Sequence, residues 1–307
     1  MQRKPSTNRY TFLTYVFFLI LISFCTNQYY AYLGVLPVDS FSTFNAGYDI
    51  LNGSVPFKDY WTLKGIVLDI IQAAFFKIFG VSWFSYSIHA STFNSIFALA
   101  TFFTLKKFDL DNKYSFFYAT LASILMYPTY GIPFTDHSTA IFCMLSIYSL
   151  CLAIKLQKNI YWFLIPILMF LAFFTKQAPT GYFGILIIII SCLYLILNSK
   201  KEIFFFGTLG IIFSIGIFLS YVYINEISFD DIIVQYFLYP MSLGETRLEW
   251  LFPIEIQRFV IRHKLIYLAL GLPIFLLFKS IFKNFLSILE KENLIFLLLL
   301  GTLLIFI

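Results

Sequence analysis

Residues 34–83 read GVLPVDSFSTFNAGYDILNGSVPFKDYWTLKGIVLDIIQAAFFKIFGVSW and carry Asp39, Asp49, Asp59, Asp69, Lys58, Lys64 and Lys77. Only 12% of the chain is charged, so acids and lysines gathered beside apolar sequence point to use. A carboxylate there can take a proton from a hydroxyl, and a lysine at the end of an apolar run can meet a lipid phosphate as a point charge. Lys64 and Lys176, the latter in FFTKQAP, hold such positions, although snorkelling to ordinary headgroups explains them too. Asp39 lies a few residues past the first apolar run, where membrane meets water. It is the candidate base, or else a surface acid capping a helix over 40–52. Asp136 and His137, in the turn GIPFTDH, could join Asp39 around a divalent cation (Mg or Mn), or form a hydrogen-bonded turn capping the next helix. In EIQRFVIRHK, Arg258 and Arg262 share a helical face at i, i+4. They make either a phosphate grip or a basic helix on anionic lipid. Asp59 and Asp69 either pair with Lys58 or Lys64 or line a cavity.

The elements that hold these residues are apolar. Mean hydropathy is +0.84 and 60% of the 307 residues are hydrophobic, against about half apolar and about a quarter charged in soluble domains. Several runs exceed the ~20 residues needed to cross the hydrocarbon layer. The fold class is therefore all-α, a polytopic transmembrane helical bundle; a barrel would show alternating segments instead. The net charge of +5 reflects Lys and Arg in loops facing the cytoplasm, and nothing points to nucleic acid. Cys25, Cys143, Cys151 and Cys192 fall within apolar runs, spaced neither as disulfides nor as a zinc site, and read as buried small hydrophobes.

The expected spans are 10–33, 83–105, 114–131, 138–155, 160–175, 179–197, 203–224, 265–282 and 294–307, about nine in a single transmembrane domain over 1–307. The first is too long for a signal-peptide core and lacks a cleavage site. The last stops within an apolar run at Ile307, as a span completed by further residues or a truncated chain would. Residues 64–79 are ambiguous, because Asp69 at a bilayer centre would cost roughly 2.5–3.5 kcal/mol. A helix lying in the interface avoids that cost. With 64–79 interfacial and the N-terminus cytoplasmic, 13 of the 21 Lys and Arg residues fall in inner loops, as the positive-inside rule favours. The outer loop 34–83, the turns 131–137 and 175–181 and the second long outer loop 225–264 then share the outer face.

The residues of this outer face resemble those of the GT-C superfamily of membrane glycosyltransferases, in its protein O-mannosyltransferase-like and aminoarabinose-transferase-like branch. An acid follows the first span (Asp39 in LPVDSF). A short helix ends in a turn and a Pro-aromatic-basic-acid run (GYDILNGSVPFKDYW), and a lysine opens an interfacial helix ending in Phe-Gly (LKGIVLDIIQAAFFKIFG). Asp136 in PFTDHS and Lys176 in FFTKQAP extend the match over roughly residues 10–200. The chain departs from the pattern at Ser40, where relatives often carry Glu, at Gly65, where proline usually follows the lysine, and at His89, where an arginine is common.

The resemblance implies a GT-C-like bundle and transfer of a hexosyl or pentosyl unit from a polyprenyl-phosphate-linked sugar to an acceptor (lipid, glycan or protein) at the outer face of the plasma membrane. It implies Asp39 as base and Lys64 and Lys176 on the donor phosphate; Arg258 and Arg262, beyond the matched residues, are further candidates for the phosphate, and Asp59, Asp69, Asp136, His137 and Gln177 are expected to line the site. Two other expectations stand beside it: a lipid-linked sugar transporter or flippase, and an inactive truncated membrane subunit. Transport would call for ionisable residues at mid-span, and the apolar runs hold almost none.

Overall fold

The computed structural model describes residues 9–35, 39–126, 131–198, 201–248, 264–283 and 291–305. Among them every regular element is a helix. Among the described residues, five helices are long and apolar enough to cross a membrane: Tyr10–Ala31, Trp83–Lys107, Thr135–Leu156, Gln177–Asn198 and Glu202–Ile224. They make the chain a membrane-embedded, all-helical protein. Of the other expected spans, 114–131 corresponds to a helix of 14 residues, Asn112–Leu125, and 160–175 to one of 15, Asn159–Phe173. These run only about 21–23 Å at 1.5 Å per residue, short of the ~30 Å hydrocarbon core. The chain divides into two compact units, Met1–Ser54 with Ile66–Ile141 and Val55–Gly65 with Phe142–Ile307.

The first unit holds α1 (Arg9–Ala31), α2 (Asp39–Leu51), α3 (Val67–Phe79), α4 (Trp83–Lys107), α5 (Asn112–Leu125) and the start of α6 (Thr135–Leu156). Polar side chains join α1 to α4. Ser23 Oγ lies 3.0 Å from Ser95 Oγ, and the Asn27 amide donates to Ser91 Oγ at 3.0 Å and to Gly131 O at 2.9 Å. Small and polar residues of this kind bind helices where lipid gives no hydrophobic drive between them. Gly131 has φ 62°, and a β carbon there would stand 2.4 Å from Ala31 N, so glycine is what lets the turn touch the end of α1.

The segment 64–79 yields α3, 13 residues long, or about 20 Å. Its residues 69, 72, 73 and 76 form one buried face. Asp69 is thus enclosed by protein, while Lys77 is exposed on another side. Gln72 Oε1 sits 2.8 Å from His89 Nδ1, and the His89 ring stacks on Phe75 at 5.0 Å. His89, read from sequence only as a stand-in for an arginine, is part of the α3–α4 packing.

The second unit holds the rest of α6, α7 (Asn159–Phe173), α8 (Gln177–Asn198), α9 (Lys201–Ile224), α10 (Phe229–Ile232), a π-helical turn (Ile233–Leu238), α11 (Tyr239–Leu248), α12 (Lys264–Lys283) and α13 (Lys291–Ile305). α7 packs along α9, and α13 along α8. Gly210 permits the first contact: a β carbon there would lie 2.4 Å from Phe163 O. Cys143 and Cys151 are buried as expected, but Cys25 and Cys192 are exposed on helix surfaces.

Candidate functional site

Residues 55–65 form the centre of the second unit's polar end. The loop is closed on itself first: Asp59 Oδ2 accepts from Val55 N at 2.7 Å, and Pro56 and Tyr60 form an isolated β-bridge. Asp59 therefore holds the turn. Phe57 takes φ 70°, a strained region for a bulky residue. It is only 1% exposed, and its ring meets Tyr236 edge-on at 6.0 Å, so burial offsets the strain.

Two glutamine side chains then fasten the loop to the helices. Gln235, in the π-turn and 5% exposed, donates from Nε2 to Phe57 O at 2.8 Å and accepts at Oε1 from Thr62 N at 3.1 Å. Gln177, the first residue of α8, donates from Nε2 to Leu63 O at 3.0 Å and to Tyr236 O at 2.9 Å. Thr62 Oγ1 donates to Lys64 O at 2.7 Å. Tyr236 lies parallel to Phe174 at 5.3 Å and donates its hydroxyl to Phe173 O. Burial pushes the Tyr236 phenol well above its ordinary range, so it remains a neutral donor.

The last contact brings the backbone beside one lysine to the backbone beside the other. Gly65 N donates to Thr175 O at 3.2 Å, and each lysine is the sequence neighbour of one of those residues. α7 ends at Phe173, and the amides of Thr175 and Lys176 both return to Ala172 O at 3.0 Å, which makes the hairpin to α8 tight. Lys64 and Lys176 are both half-buried, carried on backbone segments one hydrogen bond apart, with Gln177 beside them. Lysine stems can snorkel from such positions to a shared anion.

Below this end runs an apolar groove of about 570 Å³ between α7, α8 and α9, with Pro166, Met169 and Phe170 on α7, Gly181 and Gly184 on α8 and Gly207 on α9. A β carbon at Gly181 or Gly207 would meet nothing within 4 Å, so these positions leave the space open. The groove lining extends from Thr180 to Leu195 on α8, about 22 Å of helix. At its upper end Thr180 Oγ1 donates to Lys176 O at 2.8 Å, one helical turn from the lysine.

The remaining expected site residues fall elsewhere. Asp39 is exposed and begins α2, and Asp136 is exposed in the first turn of α6 with half-buried His137 after it. His137 meets Phe134 ring to ring at 6.0 Å. With buried Asp69, these belong to the first unit; Asp59, Lys64, Lys176 and Gln177 belong to the second. Among the described residues no three His, Cys, Asp or Glu side chains converge as metal ligands do. Arg258 and Arg262 lie outside the described residues. Lys58, on the loop's outer side, donates to Asn225 O at 3.0 Å and stands 3.7 Å from Glu226.

Gln235 was not singled out by sequence, although a lone amide in the run IIVQYFLY signals a buried polar partner. Its removal is the test of the clamp. Gln235→Leu orphans a buried carbonyl and a buried amide, at about 1–3 kcal/mol each, and should lower unfolding stability in detergent by roughly 2–5 kcal/mol. Lys58→Ala, which removes an exposed ion pair, should change it by less than about 1 kcal/mol. Equal effects of the two would refute the clamp. No protein-family model, curated protein or solved structure matches this chain.

Proposed function

We propose that the chain is a glycosyltransferase that takes a sugar from a polyprenyl phosphate donor and passes it to a hydroxyl acceptor at the membrane surface. The observation that carries this reading is the backbone bond from Gly65 N to Thr175 O, which brings the segments bearing Lys64 and Lys176 together near the end of an apolar groove. An anionic head with a long hydrocarbon tail suits such a site: phosphate at the lysines, chain between α8 and α9. The resemblance of the outer-face residues to GT-C enzymes supports the same assignment.

In this mechanism a carboxylate takes the proton of the acceptor hydroxyl, the role that the resemblance gives to Asp39. The acceptor oxygen then bonds to the anomeric carbon as the bond from that carbon to the phosphate oxygen breaks. The electron pair leaves with polyprenyl phosphate, whose growing charge Lys64 and Lys176 stabilise. One displacement inverts the anomeric configuration. The site that would face the acceptor is assigned to the exterior of the plasma membrane, as the charge distribution of the loops favours. No metal step is included.

The test is incubation of the full chain in proteoliposomes with polyprenyl phosphates carrying hexoses or pentoses and with lipid, glycan and peptide hydroxyl acceptors, followed by assay of released polyprenyl phosphate. Cleavage of the sugar–phosphate bond is expected. Lys176→Ala, losing one charge-assisted contact worth about 1.5–3 kcal/mol, should weaken binding of polyprenyl phosphate about 10- to 100-fold. Movement of intact glycolipid across vesicles without cleavage would overturn the reading in favour of a flippase.

A further inference from the structure

Trp61 and Tyr239 stand exposed at the same end of the second unit, with 55% and 42% of their surfaces open. Their ring centres are 5.7 Å apart and their planes meet at 83°. They form a right-angled corner, with the rings fixed from behind. Trp61 precedes Thr62, whose amide is held by Gln235 and whose hydroxyl is held by Lys64 O. Tyr239 directly follows the π-turn that contains Gln235 and Tyr236. The bonds that clamp the loop therefore also hold the backbone beside both rings. Trp61 and Lys64 are three residues apart, so their α carbons lie within about 11 Å.

Aromatic residues at a membrane surface ordinarily serve as interface anchors. Two features argue for more here. Trp61 sits on a loop whose backbone is fastened on both sides of it, and it lies three residues from Lys64. A pyranose bonded through its anomeric oxygen to that phosphate would sit one bond from the lysines, within reach of the corner. The electron-rich face of an indole attracts the polarised C–H groups of a sugar ring, as it attracts the positive edge of another arene.

We propose that Trp61 and Tyr239 bind the sugar ring of a lipid-linked glycosyl phosphate, its C–H face on the indole and its edge against the phenol. This rests on the glycosyltransferase reading and adds to it a subsite for the transferred group. Because stacking does not read individual hydroxyls, the corner accepts pyranoses as a class, with the identity of the sugar left to other contacts.

The experiment compares two probes on the full chain in nanodiscs, polyprenyl phosphate and its mannosyl phosphodiester, by competition against radiolabelled polyprenyl phosphate. Wild-type protein should bind the mannosyl lipid more tightly than the bare one. Trp61→Ala should remove on the order of tenfold of that preference and leave the bare lipid unchanged. Trp61→Phe should keep most of it, and Tyr239→Ala should lower it in the same sense. Trp61 is mostly exposed, so its truncation leaves the core intact, and unchanged affinity for the bare lipid verifies this in the same assay. Equal binding of the two lipids by wild-type protein, or a loss in Trp61→Ala that is the same for both, overturns the subsite while the phosphate reading stands. Failure of wild-type protein to bind either lipid overturns the phosphate reading and the subsite with it.

Discussion

Gly65→Ala is expected to undock the loop 55–65. A β carbon at this position would stand 1.6 Å from Phe174 O and 1.9 Å from Phe174 C. Both are backbone atoms just past the end of α7, where the chain turns tightly into α8, and they cannot rotate away as a side chain would. The loop must retreat instead. Retreat breaks the bond from Gly65 N to Thr175 O, draws Lys64 away from Lys176, and strains the neighbouring bond from Gln177 to Leu63 O. The cost should exceed the roughly 1–3 kcal/mol of ordinary overpacking, because nothing nearby can yield. Trypsin offers a direct readout, since Lys58 and Lys64 lie in the loop. Cleavage there should rise by more than about tenfold, the factor that about 1.4 kcal/mol of opening free energy represents. Gly207→Ala, at a position with open space around it, should leave cleavage unchanged. Wild-type resistance in Gly65→Ala would mean that the loop is not seated on the hairpin.

On the glycosyltransferase reading proposed above, Asp39→Asn is expected to abolish most turnover while leaving the protein folded and its donor bound. Asp39 is exposed at the start of α2, and asparagine serves a helix start about as well as aspartate. The change thus removes a proton acceptor with little else. A positioned base contributes typically 10²–10⁴-fold, so the rate of transfer should fall by about that factor. The donor phosphate is assigned to lysines and not to this carboxylate, so the loss should be carried by kcat with KM for the donor nearly constant. Initial rates with a lipid-linked sugar decide the matter. A variant turning over within about twofold of wild type would remove Asp39 from the base role and leave its helix-start role as the account of it.

Much of the helical framework was legible because helix formation and burial in lipid leave local signals. The long apolar runs appear as helices near their expected bounds, and the charged segment 64–79 appears as a helix too short to span. Asp69 and Gln72 told of a polar face on that helix, although not that the face would be enclosed by α2 and α4. The lysines were legible as cations at the ends of apolar runs. Asp59 was not legible as a loop staple, because its bond to Val55 N is made only in the folded turn. Gln235 acts on residues 173 and 178 positions away, and no local pattern announces an amide that recognises a distant backbone.

By itself, then, the amino-acid sequence determined a membrane-embedded chain of helices and the places where acids and lysines punctuate them. Hydrophobic run length and residue type suffice for that. The tertiary structure alone decided that the backbone beside Lys64 would meet the backbone beside Lys176, that two glutamines would hold the loop, and that three glycines would leave a groove beneath. Those outcomes depend on backbone groups far apart in the chain finding partners at about 3 Å, and on spaces defined by side chains that are absent.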